Sequence, residues 1–234
     1  MPLRLLLDMD GVLVDVSGSY RRAVIETAQA LGAGAVTRET VQAYKDRGGY
    51  NNDWVLTQAL VRDAGRDVAF ETVVEAFQER YRGADWDGYI AEEPPLVRTE
   101  TLERLSAEGE LALVTGRPEA DARWTLERFG WSRFFPVVVA MEQQGGREKP
   151  DPFPLELALR LLAERAGQPL EPRQAVYAGD TVDDVRAARA AGLRAVGVVP
   201  PYLDAETHRE TLAAAGAEAV AGDVNDLPTV LARL

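Results

Sequence analysis

Five short apolar runs punctuate the chain, at Leu3 to Leu7, Leu111 to Val114, Val137 to Ala140, Ala175 to Ala178 and Arg194 to Val199. Each gives way to a loop and then to a helical pattern, an alternation that predicts a parallel sheet with helices on both faces. The intervening helices carry their own punctuation. Pro118 suits the first turn of a helix running through Trp124 to Phe129, which Gly130 ends, and Asp183 to Ala191 is an Ala-rich helix closed by Gly192.

One stretch breaks the alternation. From Ser17 to about Glu93 there is no strand pattern but several helical ones: Tyr20 to Leu31 capped by Ser17 or Ser19, Arg38 to Lys45 capped by Thr37, and Trp54 to Ala64 capped by Asn52 or Asp53. A fourth, Phe70 to Arg82, places Phe70, Val73, Val74, Phe77 and Tyr81 at helical spacing. This predicts an all-helical insert over residues 16–94 after the first strand, with residues 1–15 and 95–234 forming the sheet domain. The return path Glu92-Glu93-Pro94-Pro95 is stiff and polar, as expected of a hinge.

Composition narrows the function classes. The 234 residues include no cysteine, which removes disulfides, thiolate metal sites and a cysteine nucleophile and fits a reducing cytoplasm. The first apolar run is too short for a signal-peptide core, and no stretch approaches the roughly 20 apolar residues of a membrane span. A net charge of -12 opposes nonspecific binding to nucleic acid. The expectation is a cytoplasmic protein, monomeric or weakly dimeric, acting on a small molecule rather than on a membrane or a polyanion.

The candidate chemistry lies where the apolar runs stop. Asp8 and Asp10 follow the first, Thr115-Gly116-Arg117 the second, Lys149-Pro150 the loop after the third, and Gly179-Asp180-Thr181 with Asp183 and Asp184 the fourth. Ligands of open parallel sheets bind outside the carboxyl ends of the strands, so all four clusters are expected at one crevice. Carboxylates without histidine or thiolate suit a hard cation such as Mg²⁺, which favours sites that also hold a phosphate. A carboxylate beside such a cation, a lysine and a hydroxyl can attack phosphorus, and a neighbouring carboxyl can protonate the leaving oxygen.

These four segments together resemble the haloacid dehalogenase superfamily of phosphatases, in particular its subfamily I branch with a helical cap like that of phosphoglycolate phosphatases. DMDGVLVD is similar to the first family motif, VTGRP to the second, REKPDP to the third and GDTVDD to the fourth, in order and over essentially the whole chain. The resemblance implies a Rossmann-like sheet of order 3-2-1-4-5 with an inserted cap. It implies Asp8 as nucleophile, Asp10 as general acid and base, Thr115 as a phosphoryl hydrogen-bond donor and Lys149 as the neutralising charge. Asp8, Asp10 and Asp180 would hold Mg²⁺, and Asp184 would serve the metal's surroundings or orient Lys149. Asp183 stands where many relatives carry asparagine, so which of Asp183 and Asp184 approaches the metal stays open.

Substrate choice is expected from the insert. In RGGYNNDW, Arg47 to Trp54, Gly48 and Gly49 permit unusual backbone angles, Asn51 and Asn52 bring amides to a helix start, and Lys45 and Arg47 add positive charge. A capped turn with solvated charges has the same composition. Arg117 is a second candidate substrate contact, with Gly116 beside it. The lone histidine, His208, falls on a late helix distant in sequence from every motif and is expected to be uninvolved. The expected activity is Mg²⁺-dependent hydrolysis of a small phosphate monoester. A phosphomutase using the same aspartyl phosphate is the alternative, and a receiver-like signalling module with an acidic Mg²⁺ pocket is a third reading.

Overall fold

A computed structural model describes residues 3–50 and 52–234 of the chain. Six strands, β1 (Leu3–Leu7), β2 (Gly109–Val114), β3 (Val137–Val139), β4 (Ala175–Gly179), β5 (Arg194–Val198) and β6 (Ala219–Ala221), form one sheet in the order β3-β2-β1-β4-β5-β6. All five pairings are parallel. The expected order 3-2-1-4-5 is present with β6 added at the edge beyond β5. β6 is a three-residue edge strand, two of its residues alanine and only Ala221 buried, and its pairing also enlists Val199, whose N–H donates to the Ala221 carbonyl at 3.0 Å.

Side chains alternate across a strand, so the two faces can be read separately. Leu6, Ala112, Val114, Ala175, Tyr177 and Ala195 share one buried core with residues of later helices, while Leu5, Leu7, Leu111, Leu113, Val176 and Ala178 alternate with them and are equally covered. A sheet buried on both faces explains why its strands read as continuous apolar runs rather than as alternating ones.

Eleven α-helices occur among the described residues. α1 (Tyr20–Ala30), α2 (Arg38–Arg47), α3 (Asp53–Asp63) and α4 (Phe70–Tyr81) follow β1; α5 (Thr99–Glu108) precedes β2; α6 (Glu119–Arg128) precedes β3; and α7 (Met141–Gln144) and α8 (Phe153–Ala166) precede β4. α9 (Val182–Ala190), α10 (Ala205–Ala215) and α11 (Leu227–Leu231) complete the chain. Pro118 stands just before α6 with an extended ψ of 143°, not inside its first turn.

The chain divides into two compact units. Residues up to Val14 together with Pro95–Leu234 form the sheet unit, and Asp15–Pro94 forms the helical one. In the helical unit α1 packs on α3 and α4, with the Tyr20 and Tyr81 rings 4.0 Å apart and Phe77 beside them. Thr37 caps α2 and Asn52 caps α3, but neither Ser17 nor Ser19 caps α1. Ser19 instead donates to Glu93 at 2.5 Å, and the Tyr81 hydroxyl donates to the same oxygen at 3.2 Å. Glu93 is thus a buried acceptor.

Candidate active site

Strand register brings the polar clusters together. The Asp8 N–H continues the β1–β4 ladder by donating to the Ala178 carbonyl, and the Thr115 N–H continues the β2–β3 ladder by donating to Val139, each at 3.0 Å. The strand order reverses between β1 and β4, which places Asp8 beside Gly179-Asp180 at the switch point of the sheet. The turn that returns β1 depends on glycine. Gly11 has φ +71°, and a Cβ there would stand 2.2 Å from an Asp180 carboxylate oxygen, so the first loop lies directly on the fourth.

Lys149 is the electrostatic centre. Its ammonium lies 3.1 Å from Asp8 and 2.6 Å from Asp184, and it donates to the Tyr177 hydroxyl at 2.8 Å. All four side chains are buried. Burial works against the Lys149 charge, but Asp184 and Asp8 outweigh it and hold its pKa above that of a free lysine. Asp184 is likewise held below the usual carboxylate range: burial pushes it up, and Lys149 and the hydrogen bonds from Thr181 pull it down further. Those bonds are local in origin. Thr181 caps α9, and Asp184 three residues on returns the favour by accepting from the Thr181 N–H at 2.9 Å and its hydroxyl at 2.7 Å, a reciprocal capping box.

Asp8 differs from Asp184. Burial pushes its pKa up to about 7, and the neighbouring Asp184 and Asp10 charges add to this against the pull of Lys149. One ammonium does not compensate the carboxylates around it. Carboxylate oxygens of Asp8, Asp180 and Asp184 lie within 4.8 Å of one another, a buried all-oxygen donor set that fits Mg²⁺ and would lower the Asp8 pKa once occupied. Asp184, not Asp183, is the later acid in this group. Asp183 is buried with Arg186 at 3.8 Å.

The Asp10 side chain is not in that cluster. Its Oδ1 accepts from Arg117 Nε at 2.6 Å, and the carboxylate that joins Asp8 and Asp180 in the cluster is that of Asp184. Arg117 was expected to meet the substrate, yet its side chain is fully covered and committed to Asp10 and to Thr125. Thr115 is buried and its hydroxyl accepts from the Arg117 N–H at 3.1 Å; Gly116 beside it is half-buried.

In the helical unit, Gly48 and Gly49 adopt φ +78° and +81°, as their pairing suggested. The charges there have local partners: Lys45 pairs with Asp53 at 2.8 Å, and the exposed Arg47 lies over the Tyr44 ring at 4.8 Å. Asn52 Oδ1 accepts from the N–H groups of Trp54 and Val55. Asn51 lies outside the described residues.

Three residues given no role from sequence lie against these groups. Tyr177 links Lys149 to Asp184, donating to the latter at 3.0 Å. Gln144, fully buried, donates to the Thr115 carbonyl at 2.7 Å and so fixes the loop after β2. His208, expected to be remote, is buried with Nε2 2.7 Å from the Asp180 carbonyl, because α10 folds back onto α9. Tyr177 had the clearest signal, an aromatic hydroxyl inside an otherwise apolar strand three residues before Asp180.

A family model for haloacid dehalogenase-like hydrolases matches residues 4–192. The chain belongs to this hydrolase family. Its sequence is 38% identical over 219 residues to a Phytophthora nicotianae protein named imidazoleglycerol-phosphate dehydratase, covering 90% of this chain but only 46% of that one. It is 33% identical to the plasmid phosphoglycolate phosphatase of Cupriavidus necator, covering 97% of this chain and 91% of the relative. Among solved structures of the haloacid dehalogenase-like fold, a Thermotoga maritima protein provisionally designated a β-phosphoglucomutase aligns over 99% of both chains, with 26% identity and a TM-score of 0.67. No helix among the described residues is long and apolar enough to cross a membrane.

Proposed function

We propose that this hydrolase is a Mg²⁺-dependent phosphatase of small phosphorylated metabolites, acting through an aspartyl phosphate on Asp8. The observation that carries the reading is the Asp8 carboxylate held 3.1 Å from the buried Lys149 ammonium, at the sheet's switch point, beside Asp180 and Asp184. Asp8, Asp180 and Asp184 would hold the ion, which when bound supplies positive charge against the phosphoryl oxygens and keeps Asp8 ionised.

Asp8 attacks phosphorus and the bond to the leaving oxygen breaks; Asp10 gives that oxygen a proton. Asp10 then takes a proton from water as the water attacks the same phosphorus, returning Asp8 and inorganic phosphate. Lys149 offsets charge on the transferred group throughout, and Thr115 donates its hydroxyl proton to a phosphoryl oxygen. The likeness to the Cupriavidus phosphoglycolate phosphatase supports small acidic phosphate esters as the substrate class. The helical unit is assigned recognition of the leaving moiety. A panel of phosphorylated metabolites assayed for phosphate release, with Mg²⁺ and with excess chelator, tests the reading; turnover undiminished by chelator would remove it. The likeness to the Thermotoga protein favours one second reading, transfer of the phosphoryl group to a sugar hydroxyl. Release of inorganic phosphate in step with substrate loss distinguishes hydrolysis from that transfer.

A further inference from the structure

Arg117 is spent in an unusual way for a cation in an acidic site. Its backbone is pinned at both ends, since its N–H donates to the Thr115 hydroxyl at 3.1 Å and its carbonyl accepts from the Met141 N–H at 2.9 Å. Its guanidinium is pinned as well: Nη1 donates to Thr125 Oγ1 at 3.1 Å on α6, and Nε donates to Asp10 Oδ1 at 2.6 Å. Thr125 is itself fixed, its hydroxyl donating to the Asp121 carbonyl at 3.1 Å one helical turn earlier. The Arg117 side chain has no exposed surface, whereas that of Asp10 is 29% exposed. A rigid, buried fork therefore holds one oxygen of a partly open carboxyl.

From this geometry we infer that Arg117 is the positioning residue for Asp10, selecting Oδ2 as the oxygen that exchanges protons with the leaving group and with water. Oδ1 is occupied by a charge-assisted bond, so the proton travels on the other oxygen, and the Thr125–Arg117 chain fixes where that oxygen points. With its side chain fully covered, Arg117 acts through Asp10. The same residue also ties the loop after β2 to the loop after β1, so the hydroxyl of Thr115 and the carboxyl of Asp10 keep a fixed spacing. The inference rests on the reading of Asp10 as the acid and base of a phosphatase.

Its signature is a dependence on the leaving group. An alkyl phosphate departs as a strongly basic alkoxide and needs the Asp10 proton, whereas 2,4-dinitrophenyl phosphate departs without one. Because kcat/KM reports steps up to the first irreversible one, it isolates departure from later hydrolysis of the phosphoenzyme. Proton transfer by a positioned group contributes roughly 10²- to 10⁴-fold, so Arg117→Gln is expected to lower kcat/KM about 10²-fold for an alkyl phosphate and only a few-fold for the dinitrophenyl ester. Asp10→Asn is expected to give the same pattern more strongly, and Thr115→Ala to lower both esters alike. Arg117→Lys, which keeps a charge near Asp10 but cannot bridge to Thr125, is expected to recover part of the alkyl activity.

Thr125→Val covers the case in which the Arg117 variants do not fold. It removes the hydroxyl that aims Nη1, conserves volume, and is expected to cost the alkyl ester about tenfold more than the aryl one. Equal losses on both esters, or none, in the folded variants would overturn the inference while Asp10→Asn remains selective. If Asp10→Asn also lowers both equally, or the unmodified protein releases phosphate from neither ester, the phosphatase reading falls first and the assignment of Arg117 with it.

Discussion

The loops at the carboxyl ends of β1, β2 and β4 and the segment 47–53 of the helical unit are both rich in polar residues, but they use them differently. In the strand-end loops, partners are distant in sequence: Asp8 meets Lys149, Asp10 meets Arg117, and Tyr177 meets both Lys149 and Asp184. Those groups are mostly buried, so each unpaired charge would be costly and each pairing fixes geometry. In segment 47–53 the partners are neighbours. Lys45 reaches Asp53, Arg47 lies over Tyr44, and Asn52 caps the helix that follows it. Buried, long-range pairing marks a region whose geometry serves a reaction. Short-range pairing, whether half-buried as in Lys45–Asp53 or exposed as at Arg47, first serves the local fold.

The most severe way to break the comparison is at Asp8. Asp8→Asn deletes the proposed nucleophile from a site where every other group is arranged around it, and turnover is expected to fall by on the order of 10⁴-fold or more. The fold is expected to persist. Phosphate release near the unmodified rate from a folded Asp8→Asn protein would refute the nucleophile assignment. Removal of Mg²⁺ comes next: excess chelator is expected to abolish turnover and added Mg²⁺ to restore it, because Asp8 and Asp180 repel a phosphate dianion unless a cation intervenes.

Stability against pH sharpens the same contrast without an activity assay. The Asp8 pKa, about 7 when folded, lies well above the ordinary 3.8, so between these values the folded metal-free protein binds a proton that the unfolded chain has lost. This group's contribution is therefore greatest at acid pH and declines as pH rises toward 7. Asp184, held low, acts in the opposite sense only below its ordinary 3.8, and Lys149, held high, contributes below the pKa of an ordinary lysine. In chelator, Tm is expected to fall between pH 5 and pH 8 in the unmodified protein and to fall less in Asp8→Asn. Mg²⁺ is expected to raise Tm more at pH 8 than at pH 5. Identical profiles for the two proteins would mean that Asp8 does not carry the buried excess charge.

The contrast also explains what could be read from the chain. Strands β1 to β5 were visible because a sheet covered on both faces leaves uninterrupted apolar runs, and the catalytic loops because each run ends in residues with little use inside a core. Nothing in TGRP tells that the Arg117 guanidinium turns toward a carboxylate 107 positions earlier. His208 and Gln144 escaped for the same reason: each acts through a backbone carbonyl, Asp180 for one and Thr115 for the other, which has no side-chain signature. Ser19 fitted a helix cap but found a buried acid at Glu93, a tertiary partner overriding a local preference. Asn52, by contrast, was legible, because a cap depends on residues two and three positions away.

The smallest effects are expected from segment 47–53, and they separate its two possible jobs. Asn52→Ala removes a cap and is expected to destabilise the helical unit by about 1 kcal/mol while leaving hydrolysis of a minimal aryl phosphate unchanged. Arg47→Ala removes an exposed cation that lies over the Tyr44 ring, so its cost in stability is expected to be under about 1 kcal/mol. If Arg47 also contacts the nonreacting part of the physiological ester, its loss is expected to lower kcat/KM for the best metabolite of the panel about tenfold and to spare the aryl phosphate, because binding energy from remote groups is used to orient the reacting centre. Thr115→Ala, in the strand-end loops, is expected to penalise both substrates. A metabolite-specific loss in Arg47→Ala without a change in Tm would give this segment a role in substrate choice beyond its local fold. Equal behaviour of both substrates, with Tm lowered, would confine it to holding α2 and α3 together.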